Sequence, residues 1–166
     1  LGRDPVKPKL ELLTPVINDK VICITGSGGS IGSELCRQIC KLSPSKLILL
    51  ERSESNLYNI KKELNKVLNN KKIKIESVLG SAGDFDLTLQ LFKENKIDVI
   101  FHTAAYKHVP LVEENPIAGI ENNVMTTYNL CKAANITGIK KFILISTDKA
   151  VRPSNVMGAT KRLSEI

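Results

Sequence analysis

The chain has 166 residues, of which 42% are hydrophobic and 25% are charged, and its formal net charge is +7. This is the length of about one domain with a substantial buried core, and no stretch approaches the roughly 18 apolar residues of a membrane span. The first residues lack the apolar core of a signal peptide, so we expect a cytoplasmic protein. Aromatic residues make up only 4% of the chain and tryptophan is absent, which argues against nucleic-acid binding.

The chain begins with LGRDPVKPKLELLTPV, which contains Pro5, Pro8 and Pro15. We predict a linker or an N-terminal arm over residues 1–18, packed on the outside of the domain. Because LGRDP is typical of the middle of a linker and KRLSEI ends inside a predicted helix, we expect the chain to be a fragment of a longer protein.

Apolar strands alternate with helical segments along the rest of the chain. Apolar residues recur at helical spacing between the strands, as at Ile31, Leu35 and Ile39. This alternation indicates βαβ units and therefore an α/β fold, a Rossmann-type doubly wound parallel sheet with helices on both faces, over residues 19–166. The predicted strands cover residues 21–25, 46–51, 73–79, 98–104 and 141–146.

The segment TGSGGSIG follows the first predicted strand and places Gly26, Gly29 and Gly32 in the frame G-x-x-G-x-x-G. Gly26 lets the chain turn sharply, Gly29 removes a side chain where a pyrophosphate must approach, and Gly32 lets the next helix lie close to the sheet. The N-terminus of that helix directs free N–H groups and the positive end of its dipole towards the phosphates. The motif therefore predicts a dinucleotide site.

The second predicted strand ends at Glu51, 19 residues after the last glycine of that frame. A carboxylate there accepts hydrogen bonds from the adenosine ribose and repels a 2′-phosphate, so NAD is favoured over NADP. Arg52 follows at once and is placed to pair with that phosphate, which keeps NADP as the alternative. Ser81 and Ala82 are placed to border the adenine, whereas Asp84 is interpreted as the N-cap of the next helix.

The lysine-rich segment and the cysteines are both interpreted as structural. Residues 61–74, KKELNKVLNNKKIK, are typical of a solvated helix face and its exit, with attraction to anionic substrates or an anionic membrane surface as the alternative. The cysteines form no Cys-x-x-Cys pair, so we interpret them as small core residues in a reducing compartment. They are Cys23, Cys36, Cys40 and Cys131.

The segment STDKAVRPSNVMGATKR, residues 146–162, follows the fifth predicted strand. Thr147, Asp148 and Lys149 are expected to project from the carboxyl edge of the sheet, where ligands bind in such folds. An Asp beside a Lys offers an acid and a base within one loop. Asp148 would serve as an acid near neutrality if burial raised its pKa, and Lys149 as a base if desolvation and Lys161 lowered its pKa. A surface Asp–Lys turn is the alternative.

Several separated motifs together resemble a known superfamily. With the glycine frame, HTAAYKHVP (102–110), NNVMTTYNL (122–130) and STDKAVRPSNVMGATKR in order, the chain resembles the extended short-chain dehydrogenase/reductases. AAYKHVPLVEENP and STDKAVRPSNVMGATKR look like the UDP-N-acetylglucosamine 4,6-dehydratases of capsule, O-antigen and protein-glycosylation pathways, in particular their large, membrane-anchored branch. The likeness covers the cofactor lobe alone, and the substrate lobe expected after Ile166 is absent from the chain.

The resemblance implies an NAD(P)-dependent lyase acting on UDP-N-acetylglucosamine. Such an enzyme oxidises the C4 hydroxyl, removes water across C5 and C6, and returns the hydride to C6, which yields a UDP-4-keto-6-deoxy-N-acetylhexosamine. The superfamily usually has a Tyr at the position of Met157, and its large branch has a Met there. The proton chemistry is therefore expected elsewhere. Our hypothesis is that Asp148, or a water it holds, takes the C4 proton while Thr147 bonds the same oxygen, and that Lys161 holds the nicotinamide ribose.

Two sets of site residues follow from the motifs and the resemblance. The predicted catalytic residues are Thr147, Asp148, Lys149, Met157 and Lys161. The predicted cofactor-binding residues are Gly26, Ser27, Gly29, Ser30, Ile31, Gly32, Glu51, Arg52, Ser81, Ala82, Ala104, Ala105, Lys107 and Lys161. Lys107 is also a candidate for substrate contact, ahead of His108. His102 is interpreted as a packing or backbone-bonded residue, and Asn123 as the superfamily's helix Asn that braces the site.

Other functions stay open at this point. A nucleotide-sugar epimerase or reductase of the same superfamily is one alternative, although such enzymes usually keep the Tyr and lack the Asp–Lys pair. A non-catalytic cofactor-binding module is another, which Met157 would permit. No metal is expected. The resemblance further implies a homo-oligomer, and a longer protein anchored at the cytoplasmic face of the inner membrane through a missing N-terminal region, so that this fragment alone is expected to be inactive.

Overall fold

A five-stranded parallel sheet organises the computed structural model, which describes residues 9–68 and 73–166. The strand order is β3-β2-β1-β4-β5, so the chain first winds to one side of β1 and then crosses back to pair β4 with its other side. The predicted fold class, a doubly wound parallel sheet, is confirmed. The strands are β1 (Val21–Thr25), β2 (Lys46–Glu51), β3 (Lys74–Leu79), β4 (Val99–His102) and β5 (Lys141–Leu144).

The predicted strands agree with the structure most closely in the first half of the chain. The bounds of β1 and β2 are those predicted, but β4 ends at His102 rather than at residue 104. The reason is that β1 ends at Thr25, so β4 has no partner beyond it. The Thr103 N–H and hydroxyl both donate to the Thr25 carbonyl, at 3.2 and 2.7 Å. For the same reason β5 ends at Leu144 instead of residue 146, level with the end of β4.

Helices cover both faces of the sheet. On one face, α2 and α3 pack against alternate strand residues such as Ile24 and Leu49. On the other face, α4 and α7 pack against the intervening residues, such as Ile48 and Ile100. The three inner strands, β1, β2 and β4, are largely apolar because both of their faces are buried. The α-helices are α1 (Leu10–Ile17), α2 (Ser30–Lys41), α3 (Glu54–Val67), α4 (Phe85–Asn95), α5 (Val109–Glu114), α6 (Pro116–Gly119), α7 (Thr126–Ile136) and α8 (Val156–Glu165).

Two shorter helices interrupt this pattern, and both lie near the carboxyl edge of the sheet. A π-helix (Ile120–Met125) joins α6 to α7, and a single 3₁₀ turn (Asp148–Ala150) follows β5. π-helices are rare, occur mostly as single-turn insertions inside α-helices, and frequently lie at functional sites. The π-helix between α6 and α7 is therefore a feature typical of a functional site.

The N-terminal segment and the cysteines differ in part from expectation. Within the predicted arm, residues 10–17 form α1, and Ile17 is buried in the core while Leu10 and Leu12 are exposed; residues 1–8 lie outside the described part. Three cysteines are core residues as predicted, but Cys131 lies on an exposed position of α7.

The lysine-rich face of α3 is exposed at Lys61, Lys62 and Lys66 as expected, and residues 69–72 of the lysine-rich segment lie outside the described residues. Across residues 9–68 and 73–166, no helix combines the length and the apolar character that crossing a membrane requires.

Candidate active site

The glycine-rich loop joins β1 to α2 and forms the centre of the site. Gly26 has a φ of +65°, and a Cβ built there would lie 2.8 Å from the Ala104 Cα, so only glycine fits this turn. A Cβ on Gly32 would lie 2.1 Å from the Gly26 carbonyl oxygen. The first turn of α2 therefore packs directly on the turn that follows β1, as the frame predicts.

Gly29 is a glycine for a different reason. Its φ of −71° suits any residue, and a Cβ built there would meet only the Gly26 carbonyl oxygen, at 3.3 Å. Neither backbone conformation nor close packing therefore requires glycine at this position. The residue lines both of the clefts described below, and it directly precedes the first residue of α2. A missing side chain at a helix N-terminus leaves room for a pyrophosphate, so the loop fits a dinucleotide.

The first cleft lies between the ends of β2, β1 and β3 and has a volume of about 280 Å³. At its edge the Glu51 carboxylate is almost fully buried and accepts two backbone hydrogen bonds, from Gly28 N and Ser53 N, each at 3.0 Å. These bonds hold the carboxylate in place at the end of β2, where it suits a ribose hydroxyl. The predicted residues that line this cleft are Gly26, Gly29, Glu51, Arg52, Ser81, Ala82, Ala104 and Ala105.

The second cleft lies on the other side of the glycine loop and has a volume of about 530 Å³. Lys107 reaches across it from the loop after β4, and its Nζ lies 3.5 Å from the Ser30 Oγ at the start of α2. A lysine facing a helix N-terminus makes this end of the cleft suitable for an anion. The predicted residues that line it are Gly26, Gly29, Ser30, Ile31, Gly32, Ala105, Lys107 and His108.

Two predicted cofactor residues line neither cleft. Ser27 is fully buried, and its Oγ has no hydrogen-bond partner among residues 9–68 and 73–166. Lys161 is also buried, and its Nζ donates to the Ile145 carbonyl at 2.8 Å. Burial lowers the pKa of the Lys161 amine. The amine lies just beyond the end of β5, at the edge of the sheet.

The loop after β5 brings the predicted acid and base into one 3₁₀ turn. Asp148 Oδ1 accepts a hydrogen bond from the Thr147 hydroxyl at 3.0 Å and pairs with the Lys149 Nζ at 3.4 Å. The Asp148 side chain is 89% exposed, and the Thr147 bond and the Lys149 charge lower the pKa of its carboxyl. To act as an acid near neutrality, Asp148 would need a raised pKa. The contacts in this lobe lower that pKa instead, so Asp148 is a carboxylate here.

Helix α8 packs on this turn and carries Met157. Asn155 caps the helix by accepting from Gly158 N at 2.7 Å, and a Cβ on Gly158 would lie 2.3 Å from the Lys149 carbonyl oxygen. Met157 is buried and lines neither cleft. Its position and its thioether both indicate a packing role for Met157 in this lobe, rather than proton transfer.

His102 and Asn123 are both buried supports of the site. His102 Nδ1 pairs with the Thr25 hydroxyl at 2.7 Å and Nε2 with the Thr127 hydroxyl at 3.1 Å, so it bonds side chains rather than the backbone. Burial and the charge of Lys161 lower the pKa of His102 to about 3, and the ring is neutral at physiological pH.

Asn123 lies in the middle of the π-helix and braces the loop after β4. Its Oδ1 accepts from Tyr106 N at 2.7 Å, and its Nδ2 donates to the Tyr106 carbonyl at 3.1 Å and to the Thr160 hydroxyl at 2.9 Å. One side chain thus joins the second cleft, which Tyr106 lines, to helix α8. Asn123 therefore braces the loop after β4 against α8, which is the role expected for it.

Sequence reasoning missed Tyr106 and Asn122 as site residues. The Arg52 guanidinium donates to the Tyr106 hydroxyl and to the Asn122 Oδ1, both at 3.1 Å, and its Cζ lies 4.7 Å from the centre of the Tyr106 ring. Both partners lie inside motifs that the sequence singled out, but no spacing rule connects them to Arg52, which is 54 residues away from Tyr106 along the chain.

Comparisons with known proteins identify a family and several relatives of the chain. A family model described as polysaccharide biosynthesis protein matches residues 22–166. The whole chain is 46% identical to the capsular polysaccharide biosynthesis protein CapD of Staphylococcus aureus and covers 28% of that protein. It is 32% identical over 151 residues to a UDP-N-acetylglucosamine 4,6-dehydratase (inverting) of Campylobacter jejuni. This match covers 90% of this chain and 43% of that protein.

A solved structure, the UDP-Glc/GlcNAc 4-epimerase from Campylobacter jejuni, superimposes with a TM-score of 0.75 and 27% identity, over 88% of this chain and 47% of that one. The chain thus spans less than half of the length of these relatives, 28% in one case and 43% in another.

Proposed function

The chain belongs to the polysaccharide biosynthesis protein family, within the extended short-chain dehydrogenase/reductase superfamily, and from this membership we propose that it is the cofactor lobe of an NAD(P)-dependent nucleotide-sugar 4,6-dehydratase. The proposed substrate is UDP-N-acetylglucosamine, and the proposed product is a UDP-4-keto-6-deoxy-N-acetylhexosamine. The single observation that carries the proposal is the joining of Thr147, Asp148 and Lys149 in one turn against the helix that holds Met157 and Lys161.

The site residues suit the dinucleotide that the relatives' fold implies. A bound NAD(P)⁺ would supply the hydride acceptor for oxidation of the sugar at C4 and the hydride donor for reduction at C6. The Glu51 carboxylate would hold the adenosine ribose, the start of α2 and Lys107 would hold the pyrophosphate, and Lys161 is the residue we assign to the nicotinamide ribose. Gly29 leaves the room that this binding needs.

Asp148 is suited to begin the reaction as a base because it is ionised. In the proposed sequence its carboxylate takes the proton of the C4 hydroxyl, which the Thr147 hydroxyl helps to orient. The carboxyl group formed in this way is then an acid, and it donates that proton to the departing C6 hydroxyl, which leaves as water. One group therefore performs both steps, and the lowered pKa of Asp148 ensures that its carboxyl is ionised before the first step.

Lys149 is assigned the proton on C5. For this step Lys149 must be a neutral amine rather than the charged partner of Asp148. The amine would accept that proton during elimination and return it to C5 when C6 is reduced, so the cofactor and both side chains would regain their starting states. The only net change is the loss of one water from the sugar.

An epimerase is the second candidate, favoured by the similarity to a solved nucleotide-sugar 4-epimerase. The two reactions differ in product mass, because epimerisation leaves the mass unchanged whereas dehydration lowers it by one water. The non-catalytic module would release no product at all.

We predict that the longer protein containing this lobe, given UDP-N-acetylglucosamine, forms a product lighter by one water, as measured by mass spectrometry. Asp148→Asn and Lys149→Ala should each lower kcat by on the order of 10²- to 10⁴-fold, because each removes a proton-transfer group. Asp86→Asn and Lys93→Ala are matched controls on α4, and neither residue lines either cleft. Unaltered rates in the first pair would contradict the assigned roles, and a product of unchanged mass would favour the epimerase.

A further inference from the structure

Arg52 is the residue next to Glu51 at the end of β2, yet its guanidinium is bonded to the other side of β1. It donates to the Tyr106 hydroxyl in the loop after β4 and to Asn122 in the π-helix. Since the strand order is β2-β1-β4, these bonds cross the sheet edge directly above the end of β1. Arg52 therefore joins the two sides of the predicted dinucleotide site.

Both acceptors of Arg52 are held in place by one buried side chain. Asn123, only 1% exposed, bonds the backbone N–H and carbonyl of Tyr106, which fixes the start of the tyrosine side chain. The Asn122 Nδ2 donates to the Asn123 Oδ1 at 3.0 Å, which turns the Asn122 oxygen towards Arg52. Acceptors that are already oriented lose little conformational entropy when they bind a guanidinium.

The neighbouring carboxylate is also fixed. Glu51 accepts backbone hydrogen bonds on both of its oxygens and is 7% exposed, so it cannot swing away from the ribose position. In this fold a carboxylate there contacts the ribose 2′-hydroxyl, whereas a nearby Arg accommodates a 2′-phosphate. A 2′-phosphate would therefore meet a fixed negative charge and an arginine that is held towards β4 by the two bonds of its Nη1, to the Tyr106 hydroxyl and to the Asn122 Oδ1.

We infer that Tyr106 is a specificity-determining residue: together with Asn122 it keeps the Arg52 guanidinium on the β4 side of the cleft, and so makes the site prefer NAD over NADP. Recruiting Arg52 to a 2′-phosphate would break its bonds to the Tyr106 hydroxyl and to Asn122. The inference rests on the proposed function only in that the site binds a dinucleotide. It does not depend on which reaction follows.

The test compares the affinity of the longer protein for NAD⁺ and NADP⁺ by isothermal titration calorimetry. Tyr106→Phe removes the hydroxyl that binds Arg52 but keeps the ring. We expect the ratio of affinities, NADP⁺ over NAD⁺, to rise roughly three- to tenfold, the effect of releasing one charge-assisted hydrogen bond at a partly exposed site. Adding Arg52→Ala to that variant should cancel the rise, because the released guanidinium is then absent.

Tyr128→Phe is the matched control. Tyr128 is a tyrosine on α7 that is 58% exposed and lines neither cleft, so the ratio should not change. A lower ratio in Tyr106→Phe would mean that Tyr106 presents Arg52 to the phosphate, and an unchanged ratio would mean that it has no influence; either result overturns the inference. If the wild-type protein bound neither NAD⁺ nor NADP⁺, the proposed function would be refuted, and the inference with it.

Discussion

His102 links the stability of the protein to pH through a single buried ring. Both ring nitrogens pair with threonine hydroxyls, and burial lowers the pKa of the folded state from 6.5 to about 3. The unfolded chain takes up a proton near pH 6.5. Because the folded pKa is the lower one, the unfolded state binds more protons between these two values. Stability is therefore complete above pH 6.5 and is lost as the pH falls towards 3.

We predict that the free energy of unfolding decreases as the pH is lowered from 7 to 5, with a slope that approaches about 1.4 kcal/mol per pH unit from this one residue. Urea denaturation at several pH values measures the slope, which should be smaller in His102→Gln. His108→Gln, which replaces the other histidine of the chain at an exposed position, is the control. The account of His102 would be wrong if the slope were equal in the wild type and in His102→Gln.

Residues at this scale also show where sequence reasoning stops. The position of Glu51 at the end of β2 was predictable from its distance to the glycine frame. The hydrogen bond that it accepts from Gly28 N was not, because Gly28 is 23 residues away along the chain. The ionised state of Asp148 was equally unpredictable, since it depends on exposure and on the local bonds of the 3₁₀ turn.

At the scale of elements, the contact between α8 and the 3₁₀ turn positions the proposed acid and base. Gly158 is the point of closest approach, and a Cβ there would lie 2.3 Å from the Lys149 carbonyl oxygen and 3.2 Å from the Asn155 Oδ1. Backbone cannot give way as a flexible side chain does. A single methyl group at residue 158 must therefore move either the helix or the turn.

We predict that Gly158→Ala lowers kcat about tenfold or more, because misplacing a reacting group by as little as 1 Å is costly. Dinucleotide affinity should stay close to that of the wild type, since Gly158 lines neither cleft. Alanine is the better helix former by about 1 kcal/mol, so a weaker helix would not explain the loss. Steady-state kinetics with Ala159→Ser, an exposed neighbour, provide the control. Full activity of Gly158→Ala would show that the turn does not need this contact.

The π-helix is the element that periodicity failed to predict. Apolar spacing at Ile117, Ile120, Val124 and Leu130 indicates one helix, whereas the structure divides the segment into α6, the π-helix and α7. The π-helix contains Asn123, which bonds to the loop after β4 and to α8. These tertiary bonds have no counterpart in a local hydrophobic period, which records only which face of a helix is buried.

At the scale of the whole molecule, the two clefts meet at the glycine loop, with β2 and β3 on one side and β4 and β5 on the other. A dinucleotide bound across both clefts would contact both halves of the sheet. A ligand that binds only the folded state stabilises it by mass action, by about 2.7 kcal/mol at a concentration of 100 times Kd. Cofactor binding should therefore appear as global stabilisation.

We predict that NAD⁺ raises the midpoint of thermal unfolding and that Gly29→Ala removes most of this rise. The variant without cofactor should lose at most about 1 kcal/mol of stability, because Ala is only somewhat worse than Gly at an N-cap and meets a single neighbour at 3.3 Å. Ser33→Ala, one turn along α2, is the control. Thermal unfolding with and without NAD⁺ measures both effects. An equal rise in the wild type and in Gly29→Ala would exclude a pyrophosphate at Gly29.

The sequence by itself determined the α/β class, the bounds of β1 and β2 and the glycine loop, because each of these depends on periods and spacings within a short stretch of chain. Only the tertiary structure decided what surrounds the site: the bonds of Arg52 to Tyr106 and Asn122, the locking of Glu51, and the packing of Gly158 on the Lys149 turn. These contacts join different strands and helices at the carboxyl edge of the sheet. Parallel topology places strand ends side by side that are distant in sequence, and no local pattern records which side chains then meet.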